Sequence, residues 1–153
     1  MTVRLDPVRR DDVEALCRMD VREDQVGFVA HNAMSLAEQP YETGAHPFVI
    51  RDGDVAVGFL MVIDCREHAY REDGDPTDAA YLWRFMIDAD HQGRGHGCAA
   101  LTALGEWCRA RDLRRIVTAA VERNAQAHAL YEAIGLARTG RVVDGEVEFA
   151  GPA

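Results

Sequence analysis

Apolar positions along the chain recur at two spacings, every second residue and every third or fourth, and the changes between them mark alternating strands and helices. Thr2 to Asp6 puts Val3 and Leu5 on one side and predicts a short strand. Asp11 or Asp12 can then cap a helix that carries Val13, Leu16 and Cys17 on one face. The stretch from Arg22 to Gln39, REDQVGFVAHNAMSLAEQ, predicts one or two further helical pieces, broken around Gly27 and the His31–Asn32 pair and ended by Pro40. PFVIRDGDVAVGFLMVID holds two β-branched runs that meet at Asp52–Gly53, a pair suited to the positive φ angles of a two-residue turn. An antiparallel hairpin is expected there.

The second half begins with a strand from Tyr81 to Asp88, followed by a glycine-rich turn and a helix to about Arg111 with Leu101, Leu104 and Cys108 on one face. RRIVTAAV reads as the next strand. A helix of that length joins Tyr81–Asp88 to Ile116–Val121, so the two strands should be parallel neighbours with a right-handed crossover and a ligand site at their C-terminal ends. NAQAHALYEAIGL predicts a last helix with Asn124 as N-cap, Ala127, Leu130, Tyr131 and Ile134 on one face, and Gly135 as a left-handed stop. Two short strands around Asp144–Gly145 complete the chain. With no repeat and no linker, residues 1–153 are expected to form one domain with a single core.

The turn HQGRGHG invites a chemical reading, because a strand, a glycine turn and a helix start together make an anion site. Two familiar phosphate loops fail on the letters. A Walker A loop needs G-x-x-x-x-G-K-[ST], yet all seventeen basic residues are Arg; a dinucleotide fingerprint needs G-x-G-x-x-G, yet Gly93, Gly95 and Gly97 alternate as G-x-G-x-G. The missing lysine also excludes a lysine Schiff base. What is left is a pyrophosphate-sized anion on backbone amides, with Arg94 and His96 as side-chain donors, or else a plain tight turn.

Composition narrows the ligands. A net charge of −9 argues against a general nucleic-acid surface and favours cationic partners. Asp64, Glu67, Glu72, Asp73, Asp75 and Asp78 crowd one segment, either a solvated loop or a cation-collecting rim. Cys17, Cys65, Cys98 and Cys108 match neither a disulfide scaffold nor a zinc ribbon and read as buried thiols, with no metal expected. No signal-like start and no membrane-length apolar run is present, so a soluble cytoplasmic protein with no membrane partner is expected.

The order of elements, with QGRGHG and NAQAHALYEAIGL, resembles the GNAT superfamily of acyl-CoA-dependent N-acyltransferases over nearly the whole chain. The family's Q/R-x-x-G-x-G/A motif is met by Gln92, Gly95 and Gly97, and Asn124 and Tyr131 follow seven residues apart in the second motif. WRFMID and the Q..FVA.N..SLAE pattern are similar to the bacterial diamine or spermine/spermidine acetyltransferase subgroup. The resemblance implies a mixed α/β fold: a central sheet of about seven strands flanked by four helices, with parallel strands four and five splayed apart. It further implies acetyl-CoA as cosubstrate, transfer of the acetyl group by direct attack of a primary amine, a small-molecule acceptor such as a diamine or polyamine, and a homodimer.

Residue by residue, the resemblance puts coenzyme A's pyrophosphate on the amides of Gly93, Arg94, Gly95, His96, Gly97 and Cys98, beside Gln92 and Asn124. The pantetheine arm would lie along Phe85, Met86 and Ile87, and Tyr131 would protonate the departing thiolate. A packed core tyrosine is the rival reading of Tyr131. An amine acceptor arrives protonated, so Glu23, Asp24, Glu38 or Glu42 is the expected base, Glu23 and Glu38 foremost, directly or through water. Trp83 and Arg84 stand where polyamine acetyltransferases often carry acids; Arg84 would repel a cation unless it pairs with a carboxylate such as Glu38. A peptide N-terminus or an amino sugar remains open as acceptor, as does a non-catalytic acyl-CoA sensor, although the presence of both Asn124 and Tyr131 favours a catalyst.

Overall fold

The near-continuous apolar run from Val55 to Ile63 needs burial on both faces, which is a requirement of a central strand. A computed structural model describes residues 1–69 and 76–153 and places this run inside one seven-stranded sheet. In chain order the strands are β1 (Val3–Pro7), β2 (Ala45–Asp52), β3 (Val55–Asp64), β4 (Ala79–Ile87), β5 (Arg115–Val121), β6 (Ala137–Val143) and β7 (Glu146–Pro152). The α-helices are α1 (Val13–Arg18), α2 (Asn32–Glu38), α3 (His96–Ala110) and α4 (Ala125–Ala133). The sheet order is β1-β2-β3-β4-β5-β7-β6, antiparallel throughout except for the parallel pair β4–β5. The expected mixed α/β fold, with its seven strands and four helices, is the observed one.

Alternation along β2 and β3 divides the core into two layers. Phe48, Ile50, Leu60 and Val62 point to one side, where Ala100, Leu101, Leu104 and Cys108 of α3 and Tyr131 of α4 meet them. Val49, Phe59, Met61 and Ile63 point to the other, against Leu16 of α1 and Leu36 of α2. Asn32 ties α2 to α1 by donating from Nδ2 to the Leu16 carbonyl at 2.9 Å.

Several expected details shift. Val13 is 40% exposed, so the buried face of α1 rests on Leu16. Asp12 does not cap α1 through its side chain; its carboxylate takes the Arg9 amide at 2.9 Å and pairs with Arg51. Asp52 pairs with Val55, which makes Gly53 and Asp54 the turn residues, one position later than expected. Gly53 has φ +58° and Asp54 is not among the residues with positive φ, the sign pattern of a type II′ turn. At the second hairpin Asp144 and Gly145 both have positive φ, +50° and +80°, as type I′ requires. Pro40 lies inside a 3-10 turn after α2 has already ended at Glu38.

In the acidic segment the three described acids, Asp64, Glu67 and Asp78, are each paired with arginine. Asp64 is fully buried at the end of β3 and accepts from the Arg66 amide and Nε at 3.0 Å each, from Arg66 Nη2 at 2.8 Å and from Arg111 Nη2 at 3.3 Å. Glu67 accepts from Arg111 at 2.6 Å and Asp78 from Arg115 at 2.9 Å. Glu72, Asp73 and Asp75 lie outside the described residues. Burial alone would raise the Asp64 pKa, but the hydrogen bonds from Arg66 and Arg111 outweigh it and lower it from 3.8 to about 2. A carboxylate depressed on folding stabilises the fold above its unfolded pKa and loses that contribution as pH falls through its folded one. Asp64→Asn should therefore cost about 2 kcal/mol at pH 7 in urea unfolding. The gap from the unaltered protein should close between roughly pH 4 and pH 2.

Candidate active site

The site begins where the sheet stops being continuous. β4 and β5 pair only from Ala79 opposite Arg115 to Leu82 opposite Thr118, and beyond that rung each strand keeps only its outer neighbour. The opening coincides with a bulge in β4: Val62 faces Leu82 but Met61 faces Arg84, so Trp83 is an extra residue. Such an insertion bends the strand and increases its twist. The buried Thr118 hydroxyl donates to the Leu82 carbonyl at 2.9 Å and closes the last shared rung. Past it lies a cleft of about 880 Å³ between Trp83–Ile87 on one side and Thr118–Ala120 with α4 on the other.

At one end of the cleft stands the glycine turn. Gly93 and Gly95 have φ of +74° and +84°, where a side chain is strained whatever space is available. Gly97 is needed for a different reason: a Cβ there would lie 3.2 Å from Leu130 Cδ2, so its smallness lets α3 approach α4. The first turn-closing bond of α3 runs from the Ala99 amide to the Gly95 carbonyl, which leaves the amides of His96, Gly97 and Cys98 without intrahelical acceptors. No side chain caps this fifteen-residue helix and no acidic residue occupies its first turn. Gly93, Gly95, His96, Gly97 and Cys98 all border the cleft, so exposed amides and the positive helix end face it together.

The side chains expected to assist there are differently employed. His96 is buried, with Nδ1 at 2.9 Å from the His91 carbonyl and Nε2 at 3.0 Å from Asp52, so both ring nitrogens are engaged and only its backbone remains for an anion. Arg94 borders a separate hollow with Met1 and Asp52. Gln92 Nε2 donates to the Ile87 carbonyl at 2.9 Å and to Gln25 at 2.8 Å, which fixes the turn against β4. Asn124 caps α4 by accepting from the Ala127 amide at 3.2 Å.

The cleft is also lined by Tyr131 of α4, Tyr81, Trp83 and Arg84 of β4, and Asp144 and Glu146 of the last hairpin. Burial pushes the Tyr131 phenol up, with the Thr118 hydroxyl acting against it. Burial likewise pushes Tyr81 to about 12. Arg84 stacks over Trp83 at 4.1 Å and bonds Glu38 at 3.2 Å, which is the pairing that neutralises it. Glu38 is thereby committed to Arg84 and Glu42 is bonded to His68, at 3.1 Å. Glu23 and Asp24 are exposed on a 3-10 turn whose Gln25, not they, borders the cleft. Gln25 Nε2 reaches Gln126 of α4 at 2.7 Å and so bridges the cleft mouth. His128 is buried on α4, donating from Nε2 to the Val121 carbonyl at 3.0 Å and accepting at Nδ1 from Arg138 at 3.1 Å. Both ring nitrogens are thus engaged within the fold, and His128 does not border the cleft.

Sequence reasoning missed Asp144 and Glu146. The Asp144–Gly145 turn signal was visible, but nothing in the local pattern says that a hairpin at the chain's end returns beside β5.

Residues 13–136 match the model of a family described as Acetyltransferase (GNAT) family. Comparison by sequence with curated proteins gives no match. Among solved structures, aminoglycoside acetyltransferase AAC(6′)-Ib in complex with coenzyme A and kanamycin is similar with a TM-score of 0.80 at 20% identity, over 99% of this chain and 95% of that one. The GNAT domain of S. lividans PAT superposes with a TM-score of 0.79 at 18% identity, over 100% and 92%. Spermidine N-acetyltransferase from Vibrio cholerae, in complex with CoA and spermine, gives 0.73 at 15%, over 98% and 95%. At these identities the neighbours speak to the fold alone; with the family model spanning most of its length, the chain belongs to the GNAT acetyltransferase family.

Proposed function

We propose that this protein transfers an acetyl group from acetyl-CoA to a primary amine of a small molecule. The observation that carries the reading is the alignment of three features along one cleft: the unpaired edge of β4, the uncapped N-terminus of α3 at one end, and the Tyr131 phenol at the gap. An extended arm with amide groups can add to the free backbone of Phe85–Ile87 as a strand would, and a pyrophosphate suits the amides of Gly93–Cys98. A β4 amide in the gap is a fixed dipole for the oxyanion formed as the amine attacks the thioester carbonyl. Tyr131 then gives its proton to the departing thiolate. Burial, by holding the phenol protonated at neutral pH, keeps that proton available until charge develops. Neighbouring folds that hold coenzyme A with kanamycin or with spermine support a small amine as acceptor.

Coenzyme A or acetyl-CoA should raise the melting temperature well beyond ATP or NAD at equal concentration, since ligand at 100 times its dissociation constant stabilises by about 2.7 kcal/mol. Equal shifts from all three would leave only a generic phosphate site. Gly95→Val should lose most of the coenzyme A shift, because its strained φ displaces the amides rather than filling their space, and circular dichroism would check that it folds.

Tyr131→Phe keeps the ring and removes one hydroxyl. Turnover, followed as thiol release from acetyl-CoA over a panel of amines, should fall by roughly 10²–10⁴ while coenzyme A affinity by calorimetry stays within a few-fold. Undiminished turnover would reduce Tyr131 to a packing residue.

A further inference from the structure

An amine that attacks a thioester must first lose a proton, and a protonated primary amine holds it with a pKa of about 10.4. The N-terminal segment expected to supply the base does not bring one to the cleft. Glu23 and Asp24 are exposed away from its lining, Glu38 is spent on Arg84, and Glu42 on His68. Among the described residues only two carboxylates border the cleft, Asp144 and Glu146, and both come from the hairpin between β6 and β7.

Glu146 is the first residue of β7, opposite Val121 of β5 and Val143 of β6. Its neighbour Val147 points into the core with α3 and α4, so alternation turns Glu146 to the opposite side of the sheet, where Tyr81 and Trp83 pack. It is half-buried, and among the described residues its carboxylate makes no hydrogen bond and no ion pair within 4.0 Å. Its carboxylate is therefore uncommitted within the fold and open to the cleft. The charged groups acting on it both border the cleft, Arg84 from β4 and Asp144 from its own turn, and its own charge acts on Tyr81 of β4 and Tyr131 of α4.

We propose that Glu146 receives the ammonium of the acceptor and takes its proton, a role that rests on the acetyl-transfer reading above. The proton passes from nitrogen to a Glu146 oxygen and the freed lone pair forms the new C–N bond. As the tetrahedral oxyanion re-forms its carbonyl the C–S bond breaks and the sulfur takes the Tyr131 proton; the second proton on the now cationic nitrogen passes to the Tyr131 phenolate, and Glu146 releases its own to solvent, which restores both side chains. Burial raises the Glu146 pKa and so narrows the gap between a carboxylate and an ammonium; the Arg84 guanidinium, itself balanced by Glu38, acts against that rise and Asp144 adds to it, while Arg84 also disfavours a second cation beside it. The same pair sets the specificity. One uncommitted carboxylate region facing one guanidinium suits an acceptor with a single ammonium near the thioester, and opposes a second ammonium on the Arg84 side.

The test uses the full-length protein with acetyl-CoA and the best amine from the panel. Glu146→Gln should lower kcat/KM by about 10²–10³ with coenzyme A affinity intact, and should remove the inflection that Glu146 contributes on the acid side of the pH–rate profile. Glu146→Asp should restore part of the rate and all of the inflection. Glu23→Gln is measured alongside. A Glu146→Gln protein with wild-type rate and profile, or a Glu23→Gln protein that loses both in its place, overturns the role. Should Glu146→Gln not fold, loss of rate with a retained profile in Glu146→Asp supports the role and an unchanged rate overturns it. A wild-type protein that binds coenzyme A yet is inert with every amine overturns the acetyl-transfer reading instead.

Discussion

Everything distinctive about this molecule follows from one missing set of backbone hydrogen bonds. Between Leu82 and Ile87, β4 has a partner on one side only, although it lies in the middle of a seven-stranded sheet. Buried peptide groups left unpaired are expensive, so a central strand does not part from its neighbour without a device that forces it and a compensation that tolerates it. The device is the bulge at Trp83, placed one residue beyond the last shared rung. The compensation is access: the freed edge faces a cleft wide enough for water or for a ligand that pairs with it.

The rest of the chain is arranged to hold that gap at a fixed width. On the near side, β3 is buried on both faces and anchors β4 through the whole length of the bulge. On the far side, β5 is held by β7, and Thr118 fastens the vertex by its bond to the Leu82 carbonyl. α3 spans the two strands, and because a crossover helix starts at the C-terminal end of its strand, its free amides arrive at the mouth of the gap without further design. The Gln25–Gln92–Gln126 contacts close the third side.

Charge placement distinguishes the cleft from the rest of so acidic a chain. Several of its carboxylates are paired outside it: Asp64 and Glu67 with Arg111, Asp52 with His96, Asp78 with Arg115. Among the described residues Arg84 is the one arginine bordering the cleft, and it is stacked and ion-paired, which turns a repulsive charge into a positioned one. A net charge of −9 thus draws cations towards the surface generally, while the character of the cleft depends on the few groups the fold leaves uncommitted.

The elements themselves were legible from the chain, because their causes are local. Alternation in Val55–Ile63, the cap at Asn124, the stop at Gly135 and the parallel crossover from β4 to β5 each depend on nearby residues or on connection length, and each is observed. The Arg84–Glu38 pair was readable for a related reason, since a cation facing an amine site must be neutralised by something within reach. Side-chain employment was not legible. His96 in a glycine turn reads as an anion donor, and only the arrival of Asp52 from the β2–β3 hairpin commits its ring to the fold. Asp64 reads as one acid in a solvated run, until Arg66 and Arg111 converge on it from two directions. Glu146 lies far along the chain from the residues it faces, and its position depends on β7 inserting between β5 and β6. Local pattern decides what each segment becomes, because propensity, capping and periodicity act over a few residues. Which carboxylate meets the cleft depends on contacts between segments distant in sequence, and those exist only once the sheet has closed around its gap.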